Sequence, residues 1–461
     1  MAMLFTTAHF TTVLLLVTVG LLVRIERHLY GTYLSPIVLI AAPYSLLVAA
    51  INFIAIYFGY FTVSAKANLF VILFFLLFFL VGLVIRQMFL RKNVIREHKA
   101  APDQIPGYEF ETIFRMVAIV ALLAGLLQFR QVIGQIGLIN VGSAKFKELF
   151  GAGLLGHIML LSRPTFFFLF VSLMRKWNKV NFALLVSIFL MVVIPQVKYQ
   201  IIVLLVSSVI YGINIGVVRV TIRKSLFAVL TIYFLFNVSY VIGFSASGMD
   251  FAYSDKVQAF LFNHFFTYLF GGPIGFSEIL EMKQYPYSTI VELVAVASNI
   301  YKAIIGDSQY IQIIIRQWIP ISTITQYFHG TNTFGLFGML YAFAGIAGAG
   351  LFTMIYGVLA YTIFQCSLLR NISMAFQMAY AYVGAYLVLS FFGLYLNMLP
   401  FYEVLFYIFF LQLIGKTFKA LNARRNLLYT DLGSSRRLSN IGENYEFERI
   451  TAVKNNIDGI A

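Results

Sequence analysis

The chain has 461 residues, 61% of them hydrophobic and only 11% charged, with a formal net charge of +15. Soluble domains carry roughly 25% charged residues, so this composition cannot cover a water-facing surface and excludes a soluble globular fold. The apolar runs are continuous rather than alternating, which disfavours a transmembrane β-barrel, and the single cysteine, Cys366, excludes an intrachain disulfide and a cysteine metal cluster.

A helical bilayer span needs about 20 apolar residues. Stretches of that kind fall near 3–23, 33–58, 67–86, 113–138, 151–174, 180–197, 199–218, 225–244, 334–364, 373–394 and 400–415. The expected fold class is therefore all-α, a polytopic transmembrane helix bundle of about 11 spans, with a range of roughly 10–14. The opening MAMLFTTAHF has no positive charge ahead of its apolar run and reads as an uncleaved first span. Phe (48) and Tyr (28) are abundant, as suits lipid-facing helices and interfacial belts.

Lys and Arg orient the bundle. With the N-terminus outside, the inside segments 24–32, 86–115, 174–179, 218–224, 365–372 and 415–461 hold most of the 33 basic residues. The basic excess is then topology and gives no reason to invoke nucleic acid. Four regions follow: spans 1–8 over 1–244, a large outside loop over 245–333, spans 9–11 over 334–415, and a basic, polar inside tail over 416–461. The outside loop contains half-apolar stretches such as VQAFLFNHFFTYLF, which read as helices lying in the membrane interface. No solenoid repeat and no relation between halves is visible, whereas many transporters have such halves.

Three cations stand where the positive-inside rule does not put them. Arg163 interrupts an apolar run, and neither flank can span alone. It sits inside a helix, where a charge costs about 2.5–3.5 kcal/mol on insertion scales. Two readings stay open, a structural arginine beside the Pro164 kink or a cation facing a wet cavity. Arg130 falls in the outer third of its span, where snorkelling is the alternative. Lys198, in VVIPQVKYQIIVLL, sits in a tight outside hairpin, as an interfacial anchor or as a cation at headgroup level. Together they point to an anionic ligand in the outer half, phosphate above all. Arg316, in IIIRQWIP, is a fourth candidate.

The stretch YFHGTNTFGLFGMLYAFAGIAGAG sets a polar knot directly on the lip of an apolar helix. The hydroxyls and amide of Thr331, Asn332 and Thr333 suit a sugar. A general base must reach a hydroxyl proton, and Glu278, Glu281 and His329 are unranked candidates, while His264 among aromatics reads as packed. Gly338, Ala342, Gly345 and Ala349 form a small-residue ridge suited to close helix contact. The sequence has no GxxxxGK[ST], HExxH or paired-Asp motif, so no metal is invoked.

This layout, with TNTFGLFGMLYAFAGIAG after a late outside loop and LSRPTFFFLFVSLMRKWNKVNFALLVSIFLMVVIPQVKYQ as a central block, resembles the Wzy-type oligosaccharide repeat-unit polymerases over roughly 110–415. Arg163 and Lys198 fall on the two basic positions of that block. The second is more often Arg in the family, so Lys198 departs by losing the bidentate fork. The resemblance implies a bacterial inner-membrane glycosyltransferase with its active site facing the periplasm and its C-terminus in the cytoplasm. Its substrates would be undecaprenyl-pyrophosphate-linked oligosaccharides of O-antigen, capsule or common antigen. Arg163, Lys198, Arg130 and Arg316 would hold the diphosphate, and Thr331, Asn332 and Thr333 the sugar. It implies no soluble cofactor, with membrane lipid, a chain-length regulator and the flippase or ligase of the same pathway as partners. An O-antigen ligase, a lipid-linked oligosaccharide flippase and a structural partner of polysaccharide assembly are the rival readings.

Overall fold

A computed structural model describes residues 6–90, 108–246, 255–282, 290–306, 311, 318–323, 330–369 and 373–422. Within them the chain is helical. The helices are α1 (Thr7–Tyr30), α2 (Pro36–Phe53), α3 (Ala65–Leu90), α4 (Tyr108–Ile136), α5 (Ala144–Leu149), α6 (Gly153–Met159) and α7 (Ser162–Arg175). They continue with α8 (Lys179–Val193), α9 (Lys198–Asn214), α10 (Ile222–Ala246), α11 (Asp255–Glu281), α12 (Ala295–Ile305), α13 (Gly335–Ser367), α14 (Met374–Val388) and α15 (Leu399–Asn422). Extended pairing is confined to isolated bridges, among them Tyr60 with Ser322 and Ile319 with Thr331.

All eleven apolar stretches of the sequence fall on helices. Among the described residues, eight helical segments are long and apolar enough to cross a membrane, with α6 and α7 counted as one segment, and α8 and α9 are shorter apolar helices. The described residues thus form an all-helical bundle, and the protein is a multi-pass membrane protein.

The first three helices pack through a buried polar cluster as well as apolar surface. Asn52 Nδ2 donates to Thr12 Oγ1 (2.8 Å) and to the Val63 carbonyl (3.0 Å), while the Val63 N–H donates back to Asn52 Oδ1 (2.7 Å). Asn68 Nδ2 donates to Thr11 and Thr12 Oγ1, both at 3.1 Å. Buried polar groups of this kind need such partners because water is absent.

The VQAFLFNHFFTYLF stretch lies in α11, a helix that packs against α13, α2 and α3. Its glycines make that possible. A Cβ on Gly272 would lie 1.7 Å from the Phe391 carbonyl oxygen, and one on Gly275 2.6 Å from the Thr333 carbonyl oxygen. The ridge on α13 is interrupted. Gly338 packs on Phe276 and Phe334 as expected, and Ala342 and Ala349 are buried. Gly345, however, has φ 64° and ψ −170° and faces open space, so it breaks the helix. Only glycine adopts that conformation readily.

A methyl group at Gly272 must push α11 off Phe391. Gly272→Ala is expected to cost about 3 kcal/mol or more, whereas Gly20→Ala, which meets nothing within 4 Å, should be neutral or stabilising. Thermal unfolding and size-exclusion of the two variants in detergent check this, and equal behaviour would refute the role given to Gly272.

Candidate functional site

The polar knot is held from two sides. The Ile319 N–H donates to the Thr331 carbonyl (2.9 Å), and the Thr331 N–H donates to the Ile319 carbonyl (2.7 Å). The Thr333 N–H donates to Thr331 Oγ1 (3.0 Å), and the two threonine hydroxyls lie 2.7 Å apart. Gly271 of α11 supports them from behind, since a Cβ there would meet Thr331 Oγ1 at 2.6 Å. Thr331, Asn332 and Thr333 are thereby fixed in the wall of a cavity of about 470 Å³.

Two cations line the same cavity, Lys147 and Lys198. The chain reaches Lys147 through a pinned turn. Gln128 on α4 donates to the Ala152 carbonyl (2.7 Å) and accepts from the Gly151 N–H (3.1 Å), and Ser143 caps α5 by accepting from the Phe146 N–H (3.1 Å). Burial pulls the Lys147 ammonium below its ordinary range. Lys198 opens α9 two residues after Gln196, whose φ of 55° turns the chain sharply.

The Lys198 ammonium sits in an aromatic box. Its Nζ lies 3.9 Å from the Tyr240 ring centroid and 4.4 Å from those of Phe236 and Tyr268, and it donates to the Tyr240 hydroxyl. Cation–π contacts give roughly 2 kcal/mol when desolvated, so the rings offset part of the cost of burying the ammonium. His264 belongs to this packing. It is buried, stacks on Phe260 at 5.4 Å and meets Tyr240 and Tyr268 edge-on.

Lys198, Tyr199, Tyr268 and Phe392 also line a second hollow, an apolar groove with Ile201, Leu205, Leu235 and Phe391. Lys198 therefore stands where a polar cavity meets an apolar groove.

Arg163 lies one layer behind the wall. It is buried and donates from Nη2 to Gln200 Oε1 at 2.8 Å. Gln200 in turn donates to the Tyr199 hydroxyl (3.4 Å), and Tyr199 stacks on Tyr395 at 4.4 Å. Both tyrosines face the cavity. The ion pairs among the described residues are Arg115–Glu111 and His157–Glu403, and Arg163 is in neither. It reaches the cavity through Gln200 and Tyr199 rather than by direct contact.

The remaining sequence candidates separate. Arg130 is exposed on α4 and absent from the cavity wall. Glu278 and Glu281 end α11 away from the wall, and burial together with the Glu281 carboxylate raises the Glu278 carboxyl above its usual range. Arg316 and His329 lie outside the described residues, His329 adjoining Gly330 of the wall. Among the described residues the wall carries no carboxylate and no histidine, and no group of His, Cys, Asp and Glu could hold a metal ion.

Sequence reasoning missed Lys147, Gln196, Tyr199, Tyr240, Tyr268, Trp318 and Tyr395. Trp318, 56% exposed in the wall, follows Arg316 by two positions and was the one rare residue that marked the place. The tyrosines carried no signal in a chain with 28 of them.

A family model described as a family of unknown function, DUF6337, matches residues 57–421, and the chain belongs to that family. No curated protein and no solved structure matches it.

A cavity with two ammonium groups should take a diphosphate, and binding should weaken as pH rises, because burial makes both Lys147 and Lys198 lose their protons before an ordinary lysine near pH 10.4. Lys147→Gln is expected to bind inorganic pyrophosphate about tenfold more weakly, the equivalent of about 1.4 kcal/mol, with a flatter pH dependence. Calorimetric titration of the detergent-solubilised protein tests it, and unchanged affinity would remove Lys147 from the anion site.

Proposed function

We propose that the protein polymerises oligosaccharide repeat units carried on undecaprenyl pyrophosphate, at the periplasmic face of the bacterial inner membrane. The observation that carries this reading is the position of Lys198 at the junction of a polar cavity and an apolar groove. A lipid-linked oligosaccharide has the same sequence of chemistries: an apolar chain, an anionic diphosphate and a sugar. The groove suits the chain and Lys198 with Lys147 suits the diphosphate. Thr331, Asn332, Thr333 and Trp318 suit sugar hydroxyls and an apolar sugar face.

In the proposed reaction, an acceptor-sugar hydroxyl oxygen bonds to the anomeric carbon of the growing chain. The bond from that carbon to the diphosphate oxygen breaks, and the hydroxyl proton passes to a base. Charge develops on the leaving diphosphate, where fixed cations in an apolar setting act most strongly. Arg163 is a positioning residue in this scheme, setting Tyr199 and the start of α9 through Gln200. For the base, Glu278 and Glu281 are displaced from the wall, which leaves His329 favoured by its place in the chain beside Gly330. The sugar–diphosphate bond supplies the driving force, so no soluble cofactor is required.

Deleting the gene in its host and resolving surface polysaccharide on a gel tests the reading. A single repeat unit on the acceptor with no ladder supports a polymerase. Absence of any repeat unit, with lipid-linked units accumulating, would sink it. Units held on the outer face would then indicate a ligase, and units held on the inner face a flippase. Arg163→Ala is expected to remove the ladder at normal protein level, while loss of the protein itself would assign Arg163 to packing. Asn332→Ala should shorten the polymer or lower its yield, and an unchanged ladder would refute a role for the knot.

A further inference from the structure

Helix α12 is turned the wrong way round for a helix in water. At about 100° per residue, Val294 at its foot and Ala297, Ile300, Tyr301, Ile304 and Ile305 share one side, and all six are exposed. Ile304 is 77% exposed and Tyr301 64%. The opposite side carries Asn299. Its Nδ2 donates to the Ile311 carbonyl (3.0 Å), while the Ile311 N–H donates to Asn299 Oδ1 (2.7 Å). The one charged residue of the helix, Lys302, also lies off the stripe. A helix with water on its outer side shows the reverse pattern, polar outward and apolar inward.

The foot of α12 is fixed to the bundle. Leu293 and Ala295 are buried, and the turn Ile290–Glu292 before them packs on α13. Asn397 Nδ2 donates to the Glu292 carbonyl at 3.1 Å. Asn397 stands two residues ahead of α15, a helix long and apolar enough to cross the membrane, and directly before Met398 of the cavity wall. The foot of α12 is thus held where α15 enters the bilayer, beside the cavity. The lipid-facing side of α15 begins in its first turns with the exposed Tyr402 and Phe406, so the stripe starts next to a lipid interface that the bundle already has. Eleven residues reach about 16 Å, half of the roughly 30 Å hydrocarbon core, so α12 cannot cross it. One stripe of that length also falls short of the roughly 800 Å² that each partner of a stable protein complex buries.

We propose that α12 is a membrane-surface helix, docked with this stripe in the acyl boundary of the leaflet on the cavity side. Helices of this kind sink about 5–10 Å into that boundary, a level that suits the ring and hydroxyl of Tyr301. Through Asn397 the docked helix ties the wall segment 394–398 to headgroup level, so the cavity opens where a lipid headgroup stands. The docking does not depend on the reaction proposed above, since a ligase or a transporter would be seated by the same helix.

Depth-dependent fluorescence quenching tests it. Trp177→Phe and Trp318→Phe remove the two tryptophans of the chain, and Tyr301→Trp then supplies one reporter on the stripe. The full chain is reconstituted in vesicles of phosphatidylcholine that is unbrominated, brominated on the upper acyl chain or brominated at the chain ends. The upper bromines are expected to quench roughly twofold or more and the terminal ones clearly less, the depth pattern of an interfacial helix. Emission that neither brominated lipid changes overturns the proposal, and quenching that appears only on diluting the protein with lipid assigns the face to a second copy instead. Quenching at least as strong from the terminal bromines also overturns it, because the helix then sits in the hydrocarbon core. Trp318 lines the cavity. If the chain without it does not accumulate, Ile304→Cys in a Cys366→Ser chain carries a nitroxide in its place. Faster collision with oxygen than with a water-soluble nickel chelate is then expected, and the reverse order overturns the proposal.

Discussion

The cavity depends on one close approach, that of α11 to the turn at Thr331–Gly335 and to the Phe391 carbonyl. Gly271, Gly272 and Gly275 bring backbone to within a distance that no side chain permits. This contact sets the threonine hydroxyls in the wall, places Thr267 and Tyr268 beside them, and carries Tyr268 to the aromatic box around Lys198. Remove the approach and the polar knot loses its backing, while Lys198 loses one ring of three. Packing and site chemistry therefore share the same few residues, as expected where a functional group must be held on rigid elements.

The cations are arranged to be available rather than paired. Lys198 is surrounded by rings, whose quadrupoles offset part of the cost of burying its charge, and it forms no ion pair with a carboxylate. Lys147 stands opposite as a like charge, a costly neighbour unless an anion lies between. Arg163 has an amide oxygen as its hydrogen-bond partner and no carboxylate. A guanidinium there is a fixed prop, rigid and always charged, whose effect passes through Gln200 and Tyr199 to the wall.

What the sequence disclosed follows from the membrane itself. In a chain where few residues are charged, Arg163 and Lys198 stand out because apolar runs on both sides leave them no water, and the knot stands out because it interrupts two apolar regions. The same logic failed for side chains typical of the background. Tyr199, Tyr240 and Tyr395 look like any interfacial tyrosine until the fold brings their rings together. Gly345 matched the small-residue period of its neighbours, and only its positive φ distinguishes a break from a packing position. Stretch 257–270 reads as an interfacial helix, and composition does not disclose that Gly271, Gly272 and Gly275 just beyond it bring α11 against the Thr331–Gly335 turn and the Phe391 carbonyl. Glu26 was hidden by its position, since it lies between Arg24 and Arg27 and reads as part of a charged helix end rather than as a buried acid.

The polar groups of this bundle fall into three physical situations, which separate structure from function better than their chemistry does. Thr11, Thr12, Asn52 and Asn68 bond to one another and hold three helices together. The hydroxyls and ammonium groups of the cavity open on a space that accommodates a ligand. Glu26 is closed off from solvent and takes its donors from other helices, the Tyr361 hydroxyl of α13 and the Ser35 hydroxyl at the start of α2. The break at Gly345 divides α13 between two such settings, with Gly338 packed on Phe276 of α11 before it and the Tyr361 hydroxyl donating to Glu26 beyond it.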